Sequence, residues 1–399
     1  MLKKSPNRGK NYLVSKRTRR ANDVFVFLEI FSREGGIQSY VKDVFQSYLA
    51  LPTNCDAEVF ILRDAHSCKN PFESNERLRF NYFKTSSPQV GRMRMATALF
   101  AYLVQNRPQH VYCGHVNLAP LVGVFCQNLG IPYTVMTHGK EVWEPLPSMT
   151  KNSLQKADRI WAVSRYTRDI ASTVNQLNPQ KINILPCAVN GNYFTPGAKS
   201  AALLERYGLN QSQQVLMTVA RLWPGDIYKG VDITIQALPQ IAQAFPDVRY
   251  LVIGRGDDLA RLQQLAENSG VSDRVVFAGF VPTEELVEHY RLADAYIMPS
   301  QEGFGIVYLE AMACGVPVLA GDNDGSADPL QNSRLGWRVP HRDIEAVAKA
   351  CIEILTGNDQ RCNGQWLREE VISHFGFAAF QTRLQEQFLA RPEVWRGRK

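Results

Sequence analysis

The densest chemistry in the sequence lies in Pro299-Ser-Gln-Glu302-Gly303-Phe304-Gly305-Ile306, which continues through Glu310-Ala-Met-Ala-Cys-Gly315. Two glycines just ahead of a helical pattern let backbone N–H groups converge on an anion, and the helix N-terminus adds about half a positive charge. Such a turn can cradle a diphosphate without metal. On one continuous helix Glu302 and Glu310 would stand about 12 Å apart along the axis and roughly 80° apart around it, so they could not meet one substrate atom together. Glu302 is therefore placed in the loop before the helix, reaching the reacting end of a ligand, and Glu310 inside the helix, reaching another part of it. A carboxylate accepts from two neighbouring hydroxyls, which suits a ribose diol or a sugar. Either glutamate alone reads equally well as an exposed acid that complements the helix dipole.

A loop of this kind needs strands to hold it. Val24-Phe-Val-Phe-Leu-Glu-Ile30 is a short apolar run, followed by Gly35-Gly36 and a helical pattern from Ile37, which reads as strand, turn, helix. Strand-like runs follow at 58–62, 78–83, 110–113, 133–137, 159–163 and 182–185, several of them separated by helix-length patterns. A polar segment with Asn190, Gly191, Pro196 and Gly197 interrupts, and the same grammar restarts at 215–220, with strands at 250–253, 275–277, 295–298 and 316–320. The alternation predicts an α/β architecture of parallel sheets with helices on both faces, because parallel strands need long crossovers. The expected division is a basic tail at 1–22, Rossmann-like domains at 23–195 and 206–370, and a helical segment at 371–399 that could pack on either domain. Two doubly wound domains in tandem leave a cleft where their strand carboxyl ends face one another.

A length of 399 residues fits two cores, and 45% hydrophobic with 21% charged residues excludes a disordered or collagen-like chain. No apolar run reaches the roughly 18 residues that span a bilayer, and no signal-peptide segment stands at the N-terminus, so a cytoplasmic protein is expected. Residues 1–22 hold eight basic side chains and no acidic one; without them 37 Lys and Arg face 38 Asp and Glu, so the net charge of +7 does not point to nucleic acid. Such a tail can attract anionic lipid or stay solvated. The eight cysteines include no C-x-x-C pair, and no zinc, EF-hand or phosphate-loop motif is present, so no metal is expected.

The two glutamates with seven residues between them, Gly-Phe-Gly included, followed by Ala-Met-Ala-Cys-Gly-Val-Pro-Val, resemble the retaining nucleotide-sugar glycosyltransferases of the GT-B fold, in particular family 4. The resemblance runs from Gly35-Gly36 to about Pro340. It implies metal-independent transfer of a hexose from a UDP- or GDP-sugar to a hydroxyl of a glycan or lipid-linked acceptor, with the first domain taking the acceptor and the second the donor. It also implies a catalytic set of Glu302, His138, Arg221 and Lys229. Arg221 and Lys229 would hold the donor diphosphate, where fixed cations facing a departing anion are each worth about 2 to 4 kcal/mol. Gly35 and Gly36 would approach the phosphate across the cleft, His138 would face the sugar, and Gly303, Phe304, Gly305 and Ile306 would line the cradle. Gly254 and Arg255 would lie beside the base, with main-chain contacts from Phe280 and Val281, while Glu310 would take the ribose. His115 and Ser164 fall on the acceptor side. Gly254-Arg-Gly256 lacks the third glycine of a dinucleotide fingerprint, since Leu259 stands there.

Departures from the family pattern are the six residues 223–228 that lengthen the Arg221 to Lys229 spacing, Cys187-Ala-Val-Asn190, and Asp322-Asn-Asp-Gly-Ser326 in place of Gly-Gly-x-Pro-Glu. These leave donor identity open. An epimerase or phosphorylase on the same fold, or a non-catalytic sugar-nucleotide-binding scaffold, are the alternatives. Arg92 and Arg94 ahead of an apolar helix permit contact with an anionic membrane surface, and a buried helix with charged ends is the other reading. A polysaccharide or glycolipid pathway is the expected setting, with the protein peripheral on the inner membrane face.

Overall fold

A computed structural model describes residues 23–52 and 55–389; the basic tail and residues 390–399 lie outside the described residues. The first lobe holds β1 (Asp23–Phe27), β2 (Ala57–Ile61), β3 (Leu78–Tyr82), β4 (His110–Cys113), β5 (Tyr133–Thr137), β6 (Arg159–Ala162) and β7 (Ile182–Ile184). The second holds β8 (Val215–Val219), β9 (Arg249–Ile253), β10 (Val275–Gly279), β11 (Ala295–Met298), β12 (Val318–Gly321) and β13 (Trp337–Val339). All residues of β1, β4, β5, β11 and β12 are buried. Strands covered on both faces read as continuous apolar runs, which is why the sequence announces them.

Every pairing is parallel, and the two sheets share one plan. The orders are β3-β2-β1-β4-β5-β6-β7 and β10-β9-β8-β11-β12-β13. In each, the order reverses beside the first strand, between β1 and β4 and between β8 and β11, and the crevice outside the strand carboxyl ends at such a point is where ligands bind in doubly wound sheets.

Three apolar clusters hold the fold. One lies on the outer face of the first sheet and one on the outer face of the second. The third is continuous between the lobes, running from Phe25, Tyr48 and Trp161 to Tyr296, Leu309 and Phe375. The helix Gly364–Phe375 packs on Ile306–Ala313 of the second lobe. After Gly376 the helix Phe377–Leu389 returns to the first lobe, where the Phe388 ring lies 5.4 Å from Tyr48 and 5.1 Å from Tyr112. A bridge between Val189 and Gly376, with Val189 N–H donating to the Phe375 carbonyl at 2.8 Å, ties the two lobe connections side by side.

The expected strands recur with shifted ends. The first stops at Phe27 rather than Ile30, because the amides of Ile30 and Phe31 are taken by the buried Asp64 carboxylate, both at 2.8 Å. β12 starts at Val318, after Pro317, which has no N–H to give a ladder. β13 was not anticipated; its three residues are too few to show a pattern.

Candidate active site

The loops at both switch points face each other closely. A Cβ on Gly303 would sit 2.2 Å from the His138 carbonyl oxygen, so only glycine lets the loop after β11 meet the loop after β5. Gly305, at φ 92°, adopts the left-handed conformation at the start of the helix Ile306–Ala313. Across the cleft, a Cβ on Gly36 would touch Ile306 Cγ2 at 3.5 Å, which places the Gly35-Gly36 turn opposite the Gly303–Gly305 turn.

Three cations gather at this mouth. Residues 223–228, which lengthen the spacing, form most of a 3-10 segment Pro224–Lys229, and the chain then enters the helix Val231–Ala244. Lys229 Nζ forms an ion pair with Glu302 Oε1, and both side chains are largely buried. Arg221 is exposed and pairs with the buried Asp226 at 2.9 Å. Lys140, from the first lobe, sets its ammonium 3.0 Å from the centre of the Tyr228 ring. Burial lowers the Lys140 pKa, Glu302 opposes that shift, and Lys229 adds to it. Burial, then Glu302 and Asp226, raise the Tyr228 phenol, while Arg221 lowers it.

Glu302 sits in the loop ahead of the helix, as the sequence implies, and is held by its backbone. Its N–H donates to Asp324 Oδ2 at 2.6 Å, and Gly325 N–H donates to its carbonyl at 2.8 Å. Asp324 is 1% exposed; burial pushes its pKa up to about 6, against the lowering effect of the hydrogen bonds from Ser326 and Glu302. The Asp322–Ser326 segment that departs from the family pattern is therefore the clamp on the Glu302 loop.

Glu310 lies in the helix and accepts the Tyr290 hydroxyl at 2.7 Å; burial pushes its pKa up to about 7. Asp43, on the helix Gly36–Leu49 of the other lobe, is also pushed to about 7, by burial and by the Glu310 charge, against Lys42. His138 Nε2 lies 3.0 Å from the Gly114 carbonyl, which can only accept, so Nε2 carries the proton and Nδ1 is the free acceptor. The Tyr40 ring stands edge-on to it at 5.5 Å. His115 Nδ1 accepts from Asn117 N–H at 3.1 Å, and its ring lies 6.4 Å from His138. Burial lowers the His115 pKa, partly offset by Glu141.

Among the expected contacts, that of Ser164 is lost and others are narrowed. Ser164 is fully buried and caps the helix Arg165–Asn175 by accepting from Thr167 N–H, so it cannot face an acceptor. Phe304 packs into the shared core against Phe375 at 5.8 Å, and Val281 is buried, so each can offer a ligand only its backbone, which is the contact expected of Val281. Gly254 is required by packing, since a Cβ there would lie 1.8 Å from the Ala220 carbonyl oxygen. Arg255 stacks over the exposed Phe280 ring at 4.6 Å, which leaves a cation and an aromatic face at the rim. Lys140, Tyr228 and Asp324 were not found from sequence: the first two meet only across the cleft, and Asp324 acts through a backbone amide 22 residues away. Among the described residues no group of three or more His, Cys, Asp or Glu side chains is arranged to hold a metal ion.

Residues 35–192 match the model of Glycosyltransferase Family 4, and residues 200–364 that of Glycosyl transferases group 1. The chain is 35% identical over 343 residues to a GDP-mannose-dependent alpha-(1-6)-phosphatidylinositol monomannoside mannosyltransferase of Mycolicibacterium smegmatis, covering 81% of this chain and 86% of that protein. It is 28% identical over 340 residues to a GDP-mannose-dependent monoacylated alpha-(1-6)-phosphatidylinositol monomannoside mannosyltransferase of Corynebacterium glutamicum, covering 81% and 86%. Among solved structures, Anabaena HepE in complex with UDP superposes with a TM-score of 0.77 at 17% identity, over 93% of this chain and 100% of that one, a likeness of fold. The paired switch points, the facing glycine turns and these matches lead to one assignment: the chain belongs to glycosyltransferase family 4, the nucleotide-sugar-dependent glycosyltransferases of the GT-B fold.

Proposed function

We propose that the protein moves mannose from GDP-mannose to a hydroxyl of a phosphatidylinositol-type glycolipid, with retention at the anomeric carbon and without metal. The carrying observation is the relative that shares 35% identity over 86% of its own length and is named for that donor and lipid class. In this reading Arg221, Lys229 and the amides at Gly303–Gly305 face the diphosphate, and Glu310 takes the ribose. Glu302 and His138 orient the mannose, with His138 Nδ1 turned to accept from a sugar hydroxyl. The bond from the anomeric carbon to the phosphate oxygen breaks with its electron pair leaving on the diphosphate, which fixed cations stabilise. The acceptor oxygen attacks from the same face, and its proton passes to the departing phosphate oxygen.

A lipid acceptor has a matching surface. The helix Pro88–Asn106 exposes Val90, Met93, Phe100 and Val104 along one side, and Val124 extends this strip from the next helix. Arg92 and Arg94 are exposed beside it. An apolar strip flanked by cations suits an anionic membrane, at the cytoplasmic face in this reading. The helix is thus half-exposed, unlike the buried helix with charged ends that the sequence also allowed. No helix among the described residues is long and apolar enough to cross a membrane.

The test is calorimetric titration with GDP, UDP and ADP in EDTA, followed by incubation with GDP-mannose and vesicles carrying phosphatidylinositol mannoside, with the product linkage read by NMR. GDP binding in EDTA and an α-linked product are expected. Binding of UDP but not GDP, or a β-linked product, would sink the donor or the retention.

A further inference from the structure

On the β6–β7 side of the lobe junction lies a second cavity, of about 650 Å³, that the donor assignments leave unused. Arg165, Arg168, Arg334 and Arg383 line it, with Asp328 and the Phe375 ring. Arg165 and Arg168 open the helix after β6, and Arg383 comes from the returning helix Phe377–Leu389, whereas Arg334 and Asp328 belong to the second lobe. The four guanidiniums thus come from both lobes and face one lining carboxylate.

Three of the arginines have acidic partners. Arg165 pairs with Asp328 at 2.5 Å, Arg334 with Glu370 at 2.6 Å, and Arg168 with the exposed Asp169 at 2.7 Å. Arg383 differs: among the described residues it makes no ion pair, and it donates from Nη1 to the His374 carbonyl at 2.7 Å, with its carbon 5.8 Å from the Phe375 ring centre. It is half-buried, and burial lowers its pKa. Glu386, one turn along the same helix, acts on it electrostatically and opposes that shift without an ion pair, and a guanidinium partly withdrawn from water with no carboxylate bonded to it is unfavourable unless an anion joins it. The cavity wall adds a second sign. Gln331, Asn332 and Ser333 are three consecutive non-glycine residues at φ 47°, 56° and 77°, a strained run of the kind that collects at ligand sites. Asn332 uses that conformation to accept from Arg165 at 3.2 Å.

We propose that this cavity is a second anion site, separate from the donor cradle, which binds a phosphate group with at least three free oxygens through Arg383 and Arg168, with Arg165 and Arg334 completing its shell. Forked guanidinium donors match a tetrahedral phosphate in a way that a point charge does not. The ligand is inorganic phosphate or the phosphomonoester headgroup of a lipid, and because its ligands sit on both lobes its occupancy favours the arrangement in which Gly303 meets His138.

The test uses the full chain carrying Arg221→Ala and Lys229→Ala, which weakens the donor cradle, and the Arg168 and Arg383 variants assign the binding that remains. Titration with potassium phosphate at constant ionic strength is expected to show saturable binding, weakened about tenfold or more by Arg168→Gln and by Arg383→Gln. Arg168 has only a local partner on its own helix turn, so its loss should leave folding intact, and Arg383→Lys, which keeps the charge, should recover part of the affinity. No saturable binding up to about 20 mM, or binding indifferent to both arginines, overturns the site. Sedimentation with phosphatidylcholine vesicles containing phosphatidic acid then separates the sources. Retention that falls with Arg168→Gln and is competed by free phosphate identifies the lipid headgroup, and equal retention of both proteins alongside positive titration identifies the free ion.

Discussion

Lys229 and Glu302 are bound to each other: the cation assigned to the diphosphate is neutralised by the carboxylate assigned to the sugar. A donor must therefore break this pair, and the two side chains should respond oppositely to mutation. Lys229→Ala is expected to weaken GDP binding and cut kcat/KM more than about tenfold. Glu302→Gln should lower kcat to a similar degree yet tighten GDP, because Lys229 is released. Calorimetry on the two variants reads the sign, and weaker GDP binding by Glu302→Gln would refute the competition.

The Lys140–Tyr228 contact joins the lobes above that pair. Cation–π contacts are worth about 0.5 to 2 kcal/mol, so Tyr228→Leu should lower thermal stability by about that amount while Tyr228→Phe leaves it near wild type. Equal losses in both would assign the effect to the hydroxyl.

Gly303→Ala tests whether the observed approach of the lobes is needed for turnover. The added Cβ would lie 2.2 Å from the His138 carbonyl oxygen and force the loops apart. Activity is expected to fall at least about a hundredfold, as it does when reacting groups are misplaced by about 1 Å, with the circular dichroism spectrum unchanged. Near-normal kcat would mean that catalysis does not use this contact.

Asp43 carries a pH signature. Its pKa is raised from 3.8 to about 7 in the folded protein, so between roughly pH 4 and 7 the folded state holds a proton that the unfolded state has lost. Its contribution to stability therefore falls as pH rises through that window and is least favourable above about 7. Asp43→Asn removes the charge and should stabilise the protein by roughly 1 kcal/mol or more at pH 8, with little change at pH 4.5, in urea unfolding. A destabilised variant at pH 8 would show that the Asp43 carboxylate is favourably paired.

For the membrane reading, Met93→Glu with Phe100→Glu should reduce sedimentation with anionic vesicles and turnover of a vesicle-borne acceptor, while GDP binding stays unchanged. Both side chains are exposed, at 71% and 45%, so folding should tolerate the change. Undiminished vesicle binding would remove this helix from the membrane contact.

What the sequence made legible was local. Buried parallel strands appear as apolar runs, and the Glu302 to Glu310 spacing lies on one stretch of chain, so sheets and cleft loops could be placed by inspection. Contacts between segments far apart in sequence leave no such trace: nothing near Lys140 announces Tyr228, and Asp324 resembled only a departure from a family pattern. Phe304 and Val281 turn their side chains inward, which leaves each of them the main-chain contact that the resemblance implied. Ser164 could have been read correctly, since a serine at the start of a helical pattern with an amide three residues on is the arrangement of a cap.

The returning helix has a consequence for how the molecule is made. Phe380, Leu384 and Phe388 belong to the core that also holds Phe25 and Tyr112, so the lobe begun first on the ribosome is sealed by residues synthesised after the whole of the other sheet. Domains usually mature in the order of synthesis. Here the second sheet can close while the first still shows Tyr48 and Trp161 to solvent, and the nascent chain is most vulnerable to aggregation after its second sheet is complete.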